Sequence, residues 1–151
     1  MVVIDTDVLS VYHIFQRDPR FKMTSLFMEE SRKVERGVGI FNLLELCGVM
    51  ATAGQIERAL RLFKEYHARN DVKVLYPPVV LISEGEFWAQ LNAEVTNRIE
   101  RGMRFGDAAI LWTLEANECE LLITWNTKHF AGKTAINVQT PEEWLAEHSK
   151  D

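Results

Sequence analysis

Val2-Val3-Ile4-Asp5-Thr6-Asp7-Val8-Leu9-Ser10 opens the chain with three β-branched residues that run, without polar alternation, into two acids one residue apart. Such a run suits a strand covered on both faces, as in a parallel sheet with helices packed on either side. Asp5 stands where that strand stops. In open α/β sheets ligands bind beyond the carboxyl ends of the strands, so Asp5 is a site candidate before any other residue is read. Taken alone, the pair equally fits turn or helix-cap chemistry, which Asp favours.

Working outward, Val8 to Phe15 begins a helix and Asp18-Pro19 breaks it. Ser25 to Lys33 reads as a second helix and Gly37 to Phe41 as a second strand. Asn42 to Met50 follows as a helix apolar nearly all round, which predicts burial. Beyond Gly54, Ile56, Leu60, Phe63 and His67 mark one face of an amphipathic helix. Val72 to Tyr76 is a third strand, closed by Pro77-Pro78. Ser83 with Glu86 has capping-box spacing, and Phe87, Leu91, Val95 and Ile99 recur along a long helix that ends at Gly102. A helix from Asp107 to Asn117, strands at Leu121 to Thr124 and Ile136 to Val138, and a terminal helix capped by Thr140 with Pro141 in its first turn complete the chain. Strands alternating with helices predict an α/β fold, a parallel sheet flanked by helices on both faces.

The 151 residues fit a single domain spanning 1–151. No apolar run approaches the roughly 20 residues of a membrane helix, and Asp5 spoils a signal-peptide reading, so a cytoplasmic protein with no membrane association is expected. Cys47 and Cys119 have no metal-ligand spacing and read as reduced thiols rather than a zinc site. The net charge of −5 argues against broad electrostatic binding to nucleic acid, while leaving room for a local basic strip around an acidic site.

The acids gain meaning as a set. Glu45 is the only formal charge in its apolar helix, and a carboxylate removed from water needs a partner, a hydrogen bond or a metal. Its spacing from Asn42 also fits a capping box, with Asn42 as the N-cap. Asp107 precedes an apolar helical run and fits an N-cap, and Thr124 and Asn126 leave the fourth strand. Strand ends and first helical turns share one edge of a parallel sheet, so Asp5, Glu45, Asp107 and Asn126 can converge there. Two carboxylates about 5 Å apart repel by about 3 kcal/mol at an effective dielectric of about 20, a conflict that a hard divalent cation resolves. Acids without nearby Cys or His favour Mg²⁺ or Mn²⁺ over zinc.

Asp5-Thr6-Asp7-Val8-Leu9, Asn42-Leu43-Leu44-Glu45-Leu46, Gly106-Asp107-Ala108-Ala109-Ile110 and Thr124-Trp125-Asn126-Thr127-Lys128-His129-Phe130 together resemble the four sequence blocks of the PIN-domain family, in that family's order. The last block and the length resemble the VapC-like toxins of type II toxin–antitoxin operons. The resemblance implies a single PIN-like domain with a five-stranded parallel sheet. It also implies a Mg²⁺- or Mn²⁺-dependent endoribonuclease in which Asp5, Glu45 and Asp107 form the acidic triad and Thr124 and Asn126 the polar fourth block, holding water or phosphate. Asp5 and Asp107 are then the preferred metal ligands, with Glu45 a ligand or the acceptor of a water proton. Asp7 stands where many relatives carry Asn or Ser, which leaves open whether it touches metal or orients Asp5. A homodimer and a small antitoxin that blocks the cleft are implied as partners, alongside the RNA substrate.

Arg98, Arg101 and Arg104 approach Asp107 at three-residue intervals and, with Lys128, are candidates to hold an RNA backbone; a solvated charged face is the alternative. His129 beside Phe130 reads as a packed, hydrogen-bonded histidine, with an acid–base catalyst as the alternative, and Trp125 as a core or partner contact or a base-stacking surface. Two other functions fit parts of the pattern. Asp5-Thr6-Asp7 resembles the opening motif of haloacid-dehalogenase-like phosphatases, although Leu9 and the single acid of Gly106-Asp107-Ala108-Ala109 depart from it. A PIN-like module that binds RNA or protein without catalysis is the other, against which the complete triad speaks.

Overall fold

The computed structural model describes residues 1–78 and 83–148, and these form one all-parallel five-stranded sheet with helices on both faces. β1 (Val2–Ile4) is the central strand. β2 (Arg36–Gly39) and β3 (Lys73–Leu75) extend the sheet on one side, and β4 (Leu121–Ile123) and β5 (Asn137–Gln139) on the other, in the order β3-β2-β1-β4-β5. Val3 of β1 is in register with Gly37 on one side and Leu122 on the other. After β3 the chain crosses back past β1 to continue at β4, so the winding reverses between β1 and β4. At such a switch point the segments leaving two neighbouring strands diverge and open a crevice at their carboxyl ends. Asp5 and Thr124 are the residues that directly follow those two strands.

The described helices are α1 (Thr6–His13), α2 (Phe21–Glu30), α3 (Ile40–Thr52), α4 (Ile56–Ala68), α5 (Glu84–Ile99), α6 (Phe105–Ala116) and α7 (Pro141–His148). Side chains alternate across a strand, so β1 feeds two cores. Val2 and Ile4 join Val38, Ile123, Leu9, Phe27, Leu46, Tyr66 and Trp144 on the face covered by α1 to α4 and α7. Val3 joins Leu122, Leu75, Val95, Leu111 and Leu114 beneath α5 and α6. Each fully buried aliphatic side chain contributes roughly 1.5–3 kcal/mol, which explains why β1 tolerates no polar residue on either face.

Several helices depart from the sequence expectation; α2 runs from Phe21 to Glu30 rather than from Ser25 to Lys33. α3 begins at Ile40, two residues before Asn42, with Gly39 as its N-cap. Ile40 and Phe41 have strand character, yet packing overrides that weak preference. Asn42 is therefore carried inside the helix, and no capping box forms between Asn42 and Glu45. Nor is α3 buried all round: Leu43, Leu46 and Met50 face inward while Leu44 is 51% exposed. On α4, Ala59 and Tyr66 face the core and Ile56 and Leu60 face out, so the buried stripe is rotated from the one that the apolar spacing suggests. The Ser83–Glu86 capping box does form at α5, with the Glu86 amide donating to Ser83 Oγ and that hydroxyl donating to the Glu86 carboxylate. Thr140 caps α7 in the same way through Glu143. Both cysteines are free thiols. Among the described residues, no helix is long and apolar enough to cross a membrane.

Candidate active site

Asp5 is both the residue after β1 and the N-cap of α1, an unusual double placement for a carboxylate that is only 7% exposed. Its Oδ1 accepts from the Thr6 amide at 2.8 Å and from Asn42 Nδ2 at 2.9 Å. Asn42 has no solvent exposure and also donates to Thr6 Oγ1 at 3.2 Å, tying the start of α3 to the start of α1. The chain allows for this amide at Gly39, where a Cβ would stand 2.6 Å from Asn42 Oδ1. Asp7, one residue into the first turn, has Oδ2 held by Thr124 Oγ1 at 3.1 Å and by the Trp125 amide at 2.9 Å. Its Oδ1 is buried with no partner.

Burial is the main cause that pushes the Asp5 carboxyl up, to about 8, and the Asp7 carboxylate beside it adds to the effect. Asp7 is raised for the same first reason, against hydrogen bonds from Thr124 and the Trp125 amide that favour its charged form. Two acids crowded at a strand end, with one oxygen left unsatisfied, are electrostatically incomplete on their own. Either a proton or a cation relieves that crowding.

Glu45, Asp107 and Asn126 open onto the same cleft as Asp5 and Asp7, a cavity of about 310 Å³ whose wall also includes Ser10, Phe15, Arg20, Val49 and His129. Glu45 lies in the second turn of α3 rather than its first and is exposed, so it is not the buried charge that its apolar neighbours suggest. Its Oε1 is 3.7 Å from where a Cβ on Gly106 would stand, which sets it against the first turn of α6. Asp107 is the third residue of α6 and not its cap, a place taken by Arg104. The structure thus brings Asp5, Asp7, Glu45, Asp107 and Asn126 together.

It does not bring Thr124, Arg98, Arg101, Arg104 or Lys128 into the cleft wall. Thr124 is fully buried and spends its hydroxyl on Asp7 and on accepting from the Asn126 amide, so it supports an acid instead of reaching phosphate. Arg98 is 5% exposed and bound to Glu94 and Glu115. Arg101 reaches Glu115, Asn97 and the Lys133 carbonyl. Glu115 lies eight residues beyond Asp107 on α6, about 12 Å along the axis, so these arginines clamp the far end of that helix. Arg104 and Lys128 are exposed and do not line the cleft. His129, expected to pack, has a side chain 47% exposed with Nδ1 3.4 Å from Asp107 Oδ2. Trp125 is half-buried and donates from Nε1 to Thr24.

Three contributors, Asn42, Arg20 and His129, were not placed in the site by the sequence. Asn42 carried a signal: an uncharged polar residue in a buried apolar helix must find a partner, here Asp5. Arg20 follows the Asp18-Pro19 break, and His129 borders Asn126, but neither has a periodic pattern to place it.

The donor set is hard oxygen, which suits Mg²⁺ or Mn²⁺ in kind. Among the described residues, however, no three His, Cys, Asp or Glu side chains stand close enough to hold an ion between them.

No family model matches the sequence, and no curated protein aligns with it. Solved structures do match. VapC20 of Mycobacterium tuberculosis, described as a sarcin–ricin loop-cleaving toxin, superposes with a TM-score of 0.64 at 13% identity over 91% of this chain and 99% of its own. VapBC-1 from nontypeable Haemophilus influenzae gives 0.61 at 20% identity over 94% and 99%. A toxin–antitoxin complex from Klebsiella pneumoniae gives 0.59 at 19% over 93% and 98%. The chain has the VapC-like PIN-domain fold.

Proposed function

We propose that this chain is a divalent-metal-dependent endoribonuclease and the toxin of a toxin–antitoxin pair. One observation carries the reading: Asp5, Asp7, Glu45 and Asp107 open into one cleft at the sheet's switch point, on a fold shared with an RNA-cleaving toxin. The solved VapBC structures support an antitoxin as the protein partner, and a homodimer is part of the same proposal.

Each side chain then has a task. Asp5 and Asp7 present fixed oxygens at the cleft floor, oriented by Asn42 and by Thr124 with the Trp125 amide. Asp107 completes the cation site from α6. When bound, a Mg²⁺ or Mn²⁺ ion supplies Lewis-acid polarisation of the phosphodiester and acidifies water. Glu45, reached by solvent, accepts the proton of the attacking water, and Asn126 holds water or a phosphate oxygen. A cation would offset the cluster's acidity, since a phosphodiester entering the cleft meets Asp5, Asp7, Glu45 and Asp107.

The test is Asp107→Asn. Manganese- or magnesium-dependent cleavage of a single-stranded oligoribonucleotide should fall to background while the melting temperature holds. A folded variant that cuts at the unmodified rate overturns the assignment. The non-catalytic module would show no cleavage by the unmodified protein, and the phosphatase would hydrolyse a generic phosphomonoester instead.

A further inference from the structure

The proposed chemistry leaves one charge problem on the substrate side. A phosphodiester is an anion, the cleft wall carries four acids, Arg98 and Arg101 are engaged with Glu115, and Arg104 does not line the cleft. Among the described residues, one guanidinium nevertheless lines the cleft. Arg20 reaches it from the turn between α1 and α2, and its side chain remains 45% exposed.

That side chain is held. Nε and Nη2 donate to the two oxygens of Asp18 at 2.9 and 2.7 Å, and the Arg20 amide donates to the same carboxylate at 2.8 Å. The guanidinium carbon lies 5.8 Å from the centroid of the Trp125 ring, which is itself fixed through its amide to Asp7 and its indole nitrogen to Thr24. One edge and one face of the planar group are therefore oriented by the protein. Nη1 makes no hydrogen bond among the described residues, so its two N–H groups are available to the cleft. The end of the guanidinium left free, Nη1 with the second N–H of Nη2, can meet two phosphate oxygens through parallel hydrogen bonds.

We infer that Arg20 is the phosphate-binding side chain of this cleft, aimed by Asp18 and Trp125 at the non-bridging oxygens of an RNA phosphodiester lying over Asp5 and Asp7. The inference rests on the ribonuclease reading and extends it to a residue that the four acidic blocks do not contain. Asp18 acts only through Arg20 and is a positioning residue.

The experiment uses the full chain, a mixed-sequence single-stranded RNA 12-mer, and two readouts: fluorescence anisotropy in Ca²⁺ and cleavage in Mn²⁺. Arg20→Gln should weaken binding about 5- to 10-fold near 0.1 M salt and flatten the log–log salt slope by about 0.7, the loss of one single-strand phosphate contact. Its cleavage rate should fall at least as far, while calorimetric Mn²⁺ affinity and melting temperature stay at the unmodified values. Arg20→Lys should recover the salt slope but not the full rate, because an ammonium cannot fork. Asp18→Asn should fall between the unmodified protein and Arg20→Gln. An Arg20→Gln variant with unchanged RNA affinity, salt slope and rate overturns the inference and leaves the nuclease reading standing. An unmodified protein that neither binds nor cuts the 12-mer overturns both.

Discussion

The two halves of the acidic cleft hold their carboxylates in opposite ways. Asp5 and Asp7, at the junction of β1 and α1, are sunk into the fold and hydrogen-bonded by Thr6, Asn42, Thr124 and Trp125. Glu45 and Asp107 project from α3 and α6, accept no hydrogen bond among the described residues and stay open to solvent. The first half is built before any ligand arrives, and desolvation works against its charge. The second half costs the fold little and can adjust. A site divided in this way keeps its geometry at the strand end and its adaptability on the helices.

The comparison can be broken most directly at Asn42. Asn42→Ala should reduce stability by about 1–2 kcal/mol, since Asp5 loses a buried donor while the unpaired Asn42 Oδ1 disappears with it. Mn²⁺ affinity should fall about 10- to 100-fold, as for other groups that orient a ligand. Chemical denaturation and calorimetry check both; unaltered metal affinity would show that Asp5 needs no such support.

Stability against pH separates the halves next. Asp5 titrates in the folded protein near 8 and in the unfolded chain near 3.8, so its contribution is fully present below the lower value and is lost as pH rises through the upper one. The melting temperature of metal-free protein should drop by several degrees between pH 4 and 8 on this account. Asp5→Asn should flatten that drop, and Mn²⁺ should raise the melting temperature more at pH 8 than at pH 5. His13 acts in the opposite sense: burial, with Arg58 and Arg69 nearby, lowers it to about 4, so its contribution is lost as pH falls from 6.5 toward 4. A His13→Gln background isolates the Asp5 effect, and a profile there that Asp5→Asn does not alter would refute it.

Gly39→Ala should give a milder copy of the Asn42 change. The new methyl would press on the Asn42 amide and not on the backbone, at a cost of about 1 kcal/mol, and full stability with full metal affinity would mean the amide has room to move. The smallest change in stability belongs to the open half. Glu45→Gln should leave stability within about 0.5 kcal/mol, as exposed substitutions do, yet remove most cleavage. A clear loss of stability would show Glu45 to be structural.

Much of this architecture was legible in the residues. The unalternated β1, its acids at the strand end and the strand–helix alternation lead to the parallel sheet, because burial on both faces leaves a compositional trace. Helix boundaries were less so: Ile40 and Phe41 look like strand and are helix, since their inward packing outweighs a weak preference. The basic strip failed for a different reason. Arg98, Arg101 and Arg104 are close to Asp107 in the chain, but the first two turn toward Glu115 at the other end of α6, while Arg20, 87 positions away, lies in the cleft.

By itself the sequence determined the fold class, because periodicity acts locally along the chain, and it pointed to acids at strand ends and early helical turns that the fold then gathers in one cleft. Only the tertiary structure decided which groups meet them. Asn42 on Asp5, Thr124 on Asp7 and Arg20 over Trp125 are contacts between elements that are distant in sequence. Hydrogen bonds and ion pairs depend on distances of a few ångströms, which are set where β1, α3 and β4 come together at the switch point and nowhere earlier.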